Sequence, residues 1–232
     1  TFMNAFTSSD WTAYPFASQN KKDFNNLLDV YLDAAFFPLL NEQDFAQEGH
    51  RLEFAQPDDP QSELLFKGVV FNEMKGALSS PVQRLGQELQ RRLFPTTTYH
   101  HNSGGDPTVI PDLTHAQLKA FHARHYHPSN AIFLTYGDIP VAEYQERFEA
   151  RALHQFQALP LDLAIPDERR YTAPVTDLIH YPLDGTDDLN DQTHIVLGWL
   201  LGPITDPLAT LRARLLSDVL LDNSSSPLRH AL

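Results

Sequence analysis

Prolines limit the length of the regular segments that this chain can form. The sequence contains 17 prolines, and several of them follow directly on stretches of helical periodicity. Pro38 follows the stretch 20–37, Pro57 and Pro60 follow the stretch 42–54, and Pro95 follows the stretch 81–93. Because proline lacks an N–H donor and its ring clashes with the preceding turn, a helix is expected to end before each of them. The pattern predicts short helices separated by loops.

Apolar residues recur at the spacing of one helix face in several of these segments. Asn20, with Asp23 three residues later, is a start signal for the first, and Thr114 with Gln117 forms a capping box for a later one. The predicted helices are 20–37, 42–54, 62–77, 81–93, 114–126, 141–156 and 207–221.

Other segments are expected to be extended. Residues 1–7 and 11–17 are rich in aromatic residues and threonine, and the Ser-Ser-Asp turn signal between them predicts a β-hairpin. Residues 131–137 form the continuous apolar run of a buried strand. Residues 175–181 and 194–200 alternate or run apolar in the same way, and both are predicted to be strands.

The order of these segments predicts the domain organisation. Residues 159–174 are rich in proline and charge without a clear period and predict a linker. They separate a first α/β domain over 1–158 from the start of a second over 175–232. We expect an α+β fold in which a mainly antiparallel sheet carries helices on one face. The chain enters strand-like sequence without an initiator Met and stops just after a helix, so we expect both domains to be truncated.

Charge and composition exclude several classes of protein. The formal net charge of −13 argues against a nucleic-acid partner, whose binding surface would be basic. The charge favours solubility, and it is also compatible with the attraction of basic peptides. The absence of cysteine excludes disulfides and thiolate metal sites. No apolar run approaches the roughly 18 residues of a membrane span, and no signal peptide opens the sequence, so we expect no membrane partner.

Histidines are the first candidates for a metal site, because the common hydrolase and nucleotide motifs are absent, as are H-E-x-x-H and H-x-x-E-H. His122 and His125 could face one metal ion from a helix, with His127 close by. The alternative, which we favour, is a helix end whose histidines interact with the C-terminal dipole and with solvent. His100 and His101 lie in a glycine-rich loop, where adjacent side chains rarely converge on one ion.

Glu73 is the most informative carboxylate. It lies in the middle of the predicted helix 62–77, in the otherwise apolar stretch VVFNEM. A carboxylate on such a stretch is costly unless it is paired or binds a metal ion. From the residue types alone, a salt bridge is favoured over a metal ligand.

Five stretches occur together in an order typical of one family. They are Thr1–Thr12 (TFMNAFTSSDWT), Asp23–Ala34 (DFNNLLDVYLDA), Phe66–Gly76 (FKGVVFNEMKG), Ser103–Pro107 (SGGDP) and His125–Ala131 (HYHPSNA). On these stretches the chain resembles the pitrilysin/insulysin-type zinc metallopeptidases, the inverzincins, over essentially its whole length and more weakly after Leu159. The resemblance implies a LuxS/metallopeptidase-like two-layer sandwich, followed by the start of a second similar unit.

The resemblance also assigns roles to residues. In this family two histidines of an H-x-x-E-H helix and a later glutamate hold zinc, and the glutamate within the motif is the general base. The later glutamate falls at Glu73, which becomes the expected metal ligand. Asn4, Ala5 and Phe6 match the strand that binds substrate. The H-x-x-E-H helix is expected upstream of Thr1, so no catalytic residue is expected in this chain.

The implied function is that of a zinc-dependent endopeptidase that hydrolyses unstructured peptides inside a closed chamber. This chain alone is expected to be inactive and to bind no zinc, and to self-associate through apolar surface near Glu73. Two alternatives stay open: a non-catalytic scaffold subunit of the same superfamily, and an α/β binding domain without metal. The lack of cysteine favours a reducing compartment, for which we expect the cytoplasm, with a mitochondrial or plastid matrix as the alternative.

Overall fold

Short helices and short strands follow one another along the chain. The computed structural model describes residues 1–183 and 190–231; residues 184–189 and 232, which belong to the predicted second domain, lie outside the described residues. The strands are β1 (Phe2–Met3), β2 (Phe6–Thr7), β3 (Thr12–Ala13), β4 (Phe16–Ala17), β5 (Arg51–Phe54) and β6 (Leu64–Lys67). The α-helices are α1 (Lys21–Phe36), α2 (Glu42–Glu48), α3 (Val69–Ala77), α4 (Pro81–Leu93), α5 (His115–His125), α6 (Val141–Arg151), α7 (Pro207–Leu221) and α8 (Pro227–Ala231). This mixture confirms the α+β class.

The first four strands form the expected hairpin. β1 pairs antiparallel with β4 and β2 with β3, and a single register joins Phe2 to Ala17 and Thr7 to Thr12. The ladder is interrupted between the two pairs, where Pro15 has no N–H to donate. The hairpin is therefore confirmed, with a break in its middle that the sequence pattern does not predict.

The main core of the first part of the chain lies between α1 and α6. The Asn20 side chain accepts hydrogen bonds from the N–H groups two and three residues later, which confirms the predicted start of α1. Leu28 and Leu32 on α1 pack with Tyr144 and Phe148 on α6. Burial of each such side chain is worth about 1.5–3 kcal/mol. Partly buried aromatic residues that pack against this cluster are Phe16, Phe24, Phe36 and Phe37.

Two predicted helices are wrong over part of their length. The last four residues of the helix predicted over 42–54 form β5, and the helix predicted over 62–77 contains β6 at its start. The two strands pair antiparallel over four residues. Gly49 lies just before β5 and Gly68 directly follows β6. A Cβ on Gly68 would collide with the backbone of Gly49, so this close approach of the two chain segments requires glycine at position 68. Hydrogen bonds between the two strands thus replace the helical hydrogen bonds expected at residues 51–54 and 64–67. The spacing of apolar residues does not predict this pairing.

Three predicted strands are wrong. Residues 131–137, 175–181 and 194–200 belong to no sheet in the described part of the chain. A strand needs a partner to share its backbone hydrogen bonds, and no described strand pairs with these segments. The expected burial at 131–137 is wrong as well, because Ile132 and Leu134 are 95% and 92% exposed.

The other predicted helices agree with the structure to within a few residues. The capping box between Thr114 and Gln117 forms at the start of α5. α4 and α7 have the predicted bounds. α6 ends at Arg151, five residues before its predicted end, and a short 3-10 turn follows it. α8 is not predicted by the sequence pattern.

The chain divides into two compact units. The first comprises residues 1–83 and 101–164, and the second comprises 84–100 together with the residues from 165 onward. Most of α4 therefore belongs to the second unit. The predicted boundaries at 1–158, 159–174 and 175–232 stay a prediction.

Side-chain contacts within the second unit explain this division. The Glu168 carboxylate accepts hydrogen bonds from the Thr96 and Thr97 N–H groups at 2.9 and 3.1 Å, and also from both hydroxyls. Desolvation acts to raise the pKa of Glu168, but these hydrogen bonds outweigh it and lower the pKa from 4.5 to about 2. The Arg92 side chain donates to Asp177 at 2.6 Å. The C-terminal part of the predicted linker is thus anchored at the end of α4.

The sheets of the described residues are small. Each of the three contains two strands, so the two-layer sandwich that the resemblance implies stays a prediction. Among the described helices, none is both long enough and apolar enough to cross a bilayer.

Candidate functional site

The hairpin presents a free backbone edge along β1 and β2. The Asn4 N–H donates to the Pro15 carbonyl at 3.0 Å, which makes these two residues a hydrogen-bonded pair of the ladder. Such pairs alternate along an antiparallel strand with residues whose backbone groups point the other way. The N–H and C=O groups of Met3, Ala5 and Thr7 therefore point outward. Among the described residues no further strand pairs with that side.

Asn4 lies at the break in the ladder. Pro15 opposite it has no N–H, so the Asn4 carbonyl loses its usual ladder donor. The Tyr31 hydroxyl, from α1, donates to that carbonyl at 3.0 Å instead. The Asn4 side-chain oxygen accepts the Ala5 N–H at 2.8 Å. One outward donor of the edge is thus occupied by a neighbouring side chain, and a peptide that pairs along this edge has to displace it.

Aromatic rings hold the hairpin on α1. The centroid of the Tyr31 ring lies 5.1 Å from that of Phe16 and 6.3 Å from that of Tyr14. The hydroxyl oxygens of Tyr14 and Tyr126 lie 3.0 Å apart. Burial, together with this hydrogen bond, raises the pKa of Tyr14 above its ordinary value. The segment Asn4–Phe6 stays exposed on the outside of this cluster.

Glu73 lies in the middle of α3. Phe71 and Met74 on the same helix are buried together with Ile110, whereas the Glu73 side chain is exposed. The Glu73 side chain forms no ion pair or hydrogen bond with another described residue, so the salt bridge favoured by residue type does not form among them. Val69, one turn earlier, is 52% exposed and leaves apolar surface beside the carboxylate.

The SGGDP stretch packs against the buried face of α3. A Cβ on Gly104 would collide with the Met74 side chain, and Gly105 has a φ of +93°, which favours glycine. The Asn102 side chain accepts the Gly104 N–H at 2.8 Å and helps to form the turn. This loop covers the Met74 side of the helix and leaves the Glu73 side open.

The clustered histidines have separate partners. The His122 Nε2 donates to the Ala35 carbonyl at 2.9 Å, at the end of α1. His127 is buried, and its Nδ1 accepts the Ser129 N–H at 3.1 Å. Burial lowers the pKa of His125. The expectation that these histidines contact solvent is wrong for His127, which is buried, whereas His122 is partly exposed.

Glu73 fits the role of a single metal ligand but not of a metal site. Across residues 1–183 and 190–231, no three His, Cys, Asp or Glu side chains come together in a way that could hold an ion. A catalytic zinc site requires three protein ligands and a water. Any further ligands would have to come from residues outside the described ones. The roles assigned to Glu73 and to Asn4–Phe6 stay predictions.

Comparison with known proteins places the chain in a family. Residues 112–232, slightly more than half of the chain, match the family described as "Peptidase M16 inactive domain". The chain belongs to the peptidase M16 family. The matched residues of this M16 chain include α5 to α8, whereas the hairpin and Glu73 lie before them.

Curated relatives match this M16 chain from end to end. The "Presequence protease, mitochondrial" of Xenopus tropicalis is 48% identical over 233 residues, which is 100% of this chain and 23% of that protein. The protein of the same name from Mus musculus is 48% identical, with 100% and 22% covered. That of Gibberella zeae is 42% identical, with 100% and 23% covered. The chain thus spans less than a quarter of the length of these relatives.

These relatives confirm one expectation and correct another. Within the pitrilysin-type family the five stretches are most similar to presequence protease, and identities of 42% to 48% over the whole chain confirm that resemblance. The expected cytoplasmic location is wrong, because the relatives are named as mitochondrial proteins. Cysteine content reports the redox state of a compartment but does not distinguish one reducing compartment from another.

Sequence reasoning did not single out Pro15 and Tyr31, although both contact the candidate edge. A proline inside a predicted strand is the available signal, because it removes one donor from the ladder and requires a substitute. The substitute comes from α1, a separate element, and only the fold identifies it as Tyr31.

Proposed function

We propose that this chain is part of a zinc-dependent endopeptidase that hydrolyses unstructured peptides inside a closed chamber, and that it supplies a peptide-binding edge and one zinc ligand. The observation that carries the proposal is the 48% identity to a presequence protease over the full chain, which includes Asn4–Phe6 and Glu73. The protein acts in mitochondria, as the names of the relatives indicate for those proteins. The 232-residue chain by itself is inactive.

The exposed edge of the hairpin supports peptide binding. The outward groups of Met3, Ala5 and Thr7 are spaced as one side of an antiparallel ladder, and a peptide strand can add to them. Only an extended backbone can do so, so unstructured peptides are the substrates that fit. The net charge of −13 favours basic peptides, because complementary charge raises the rate of encounter.

The exposed Glu73 carboxylate supports a role as zinc ligand. Its side chain has no partner among the described residues and is exposed on α3, so its carboxylate oxygens are available to a metal ion in the complete protein. Bound zinc would supply a polarised, deprotonated water for hydrolysis. Glu73 would hold one coordination position by its carboxylate oxygen. In the isolated chain the apolar surface at Val69 supports self-association.

A second candidate has one specific observation in its favour. The family that matches residues 112–232 is described as inactive, which favours a non-catalytic scaffold role for that part of the chain. Glu73 and the hairpin precede those residues, so the two candidates differ in what they predict for Glu73. A binding domain without metal has no observation in its favour.

Glu73→Gln in the full-length protein tests the proposal. The substitution keeps the shape of the side chain and removes the anionic ligand, so bound zinc should fall well below one equivalent and peptide hydrolysis should be nearly abolished. Zinc is measured by elemental analysis of the purified protein, and hydrolysis with a fluorogenic peptide. Glu146→Gln is the matched control, because Glu146 is also an exposed helical glutamate. Full zinc content and full activity in Glu73→Gln would refute the assignment of Glu73, whereas a full-length protein with neither zinc nor activity before any substitution would favour the scaffold role.

A further inference from the structure

The break in the hairpin ladder lies at the residue where peptide binding is proposed. Four residues meet there: Asn4 and Ala5 on the edge strand, Pro15 on the partner strand, and Tyr31 on α1. Asn4 and Pro15 occupy a hydrogen-bonded position of the ladder, where each residue normally donates one N–H and accepts another. Pro15 accepts the Asn4 N–H at 3.0 Å but has nothing to donate in return.

The Tyr31 hydroxyl replaces the donor that Pro15 lacks. It donates to the Asn4 carbonyl at 3.0 Å, and its ring is held against Phe16 and Tyr14 of the partner strand. Tyr31 lies on α1 one turn from the buried Leu28, so its ring position is set by the helix that forms the core. The hydroxyl therefore connects the edge strand to a helix that forms the core of the first unit.

We infer that Tyr31 is a positioning residue: its hydroxyl fixes the Asn4–Ala5 section of the edge strand so that the outward backbone groups of Ala5 face an incoming extended peptide. The inference rests on the proposed function for its peptide, but the positioning contact is independent of it. An edge residue that rotates freely cannot keep its N–H and C=O aligned with a peptide, and pre-organisation is what such a contact contributes to affinity.

Tyr31→Phe tests the contact, because it removes one oxygen atom and leaves the ring in place. In the 232-residue chain, loss of the hydrogen bond to the Asn4 carbonyl should loosen this section of the ladder, so the Asn4 amide hydrogen, which bonds to the Pro15 carbonyl, should exchange with solvent about threefold to tenfold faster. The Phe6 amide, which lies at the hydrogen-bonded position opposite Ala13, should not change. Tyr136→Phe is the matched control, since Tyr136 is 99% exposed, and it should leave both amides unchanged. An unchanged Asn4 amide in Tyr31→Phe would overturn the inference.

Pro15→Ala supplies a rescue that a general loss of stability would not show. Alanine at this position restores the N–H that the Asn4 carbonyl lacks, so in the Pro15→Ala background Tyr31→Phe should change exchange at Asn4 less than about twofold. An equal effect of Tyr31→Phe in both backgrounds would show that the hydroxyl does not substitute for the ladder donor, and would overturn the inference.

Kinetic measurements on the full-length protein with an unstructured peptide test the positioning role of Tyr31 and the proposed binding edge separately. Tyr31→Phe should raise KM for an unstructured peptide about threefold to tenfold and leave kcat within about twofold, because only the alignment of the edge changes. Ala5→Pro removes an outward donor directly and should raise KM further. If Ala5→Pro has no effect, the proposed binding edge is wrong. If Ala5→Pro raises KM but Tyr31→Phe does not, the edge is right and the positioning role of Tyr31 is wrong.

Discussion

The hairpin over residues 1–17 and the segment over 131–137 have similar apolar, aromatic-rich sequences but different structures. The hairpin forms two paired strands on each side of its break, in one register. The segment 131–137 is predicted as a strand with equal clarity, yet Ile132 and Leu134 project into solvent and the segment joins no sheet among the described residues.

The difference lies in where the partner strand comes from. The hairpin carries its partner a few residues away, across a two-residue turn closed by the Ser8 N–H on the Trp11 carbonyl at 2.8 Å. Residues 131–137 have no partner strand among the described residues, and the Phe133 ring contacts two helical side chains instead, Phe148 at 4.5 Å and Phe36 at 6.1 Å. An apolar, aromatic-rich stretch therefore predicts that a segment is extended. It predicts a strand only where the partner is local.

Replacement of a leucine by alanine in each region should give the largest difference in the free energy of unfolding. Leu28 is 6% exposed in the cluster beneath the hairpin, and Leu28→Ala should reduce the free energy of unfolding by about 2–5 kcal/mol. Leu134→Ala should change it by less than about 0.5 kcal/mol. Urea unfolding of the 232-residue chain, followed by circular dichroism, measures both. Equal losses would mean that 131–137 is buried in solution and would remove the contrast.

A substitution at the junction between the hairpin and α1 should reduce the free energy of unfolding by an amount between those for Leu28→Ala and Leu134→Ala. The Asn20 side chain caps α1 directly after β4, so Asn20→Ala should cost about 1 kcal/mol of unfolding free energy, measured in the same urea titration. Asn41 is the matched control, because it holds the N-cap position of α2 without a side-chain capping hydrogen bond. A loss for Asn41→Ala as large as that for Asn20→Ala would show that the loss at Asn20 is not specific to its capping hydrogen bonds.

The smallest effect concerns Glu168, in the predicted linker 159–174, whose carboxylate accepts hydrogen bonds from the Thr96 and Thr97 N–H groups. The pKa of Glu168 is lowered to about 2, so its contribution to stability is complete above its ordinary pKa of 4.5 and is lost as the pH falls from there towards 2. The difference in Tm between wild type and Glu168→Gln should therefore be largest near neutral pH and shrink below pH 4.5.

The partner of Glu168 supplies the control for that measurement. Thr97→Val removes a hydroxyl that donates to the carboxylate and should show the same loss, whereas Thr97→Ser keeps the hydroxyl and should resemble wild type. A Tm difference for Glu168→Gln that stays constant from pH 7 to pH 2 would contradict the lowered pKa.

The residues of the candidate site could be predicted from sequence motifs, but the hydrogen bonds that hold its edge strand could not. The NAFT stretch and the NEMKG stretch located Asn4–Phe6 and Glu73, and the structure places the first on an exposed edge and the second on the open side of α3. The replacement of the Pro15 donor by Tyr31 depends on a hydrogen bond between residues 27 positions apart. No local pattern encodes a contact of that range.

The sequence by itself determined the features that arise within a few neighbouring residues: the caps at Asn20 and Thr114, the bounds of α4 and α7, and the turn of the hairpin. Propensity, capping and turn formation act over one or two turns of backbone, so they can be read locally. Tertiary structure alone decided that 51–54 and 64–67 are strands, that 131–137 is not, and which hydroxyl completes the hairpin. Each of these depends on whether a distant backbone group is present to share a hydrogen bond, and only the folded chain supplies that partner.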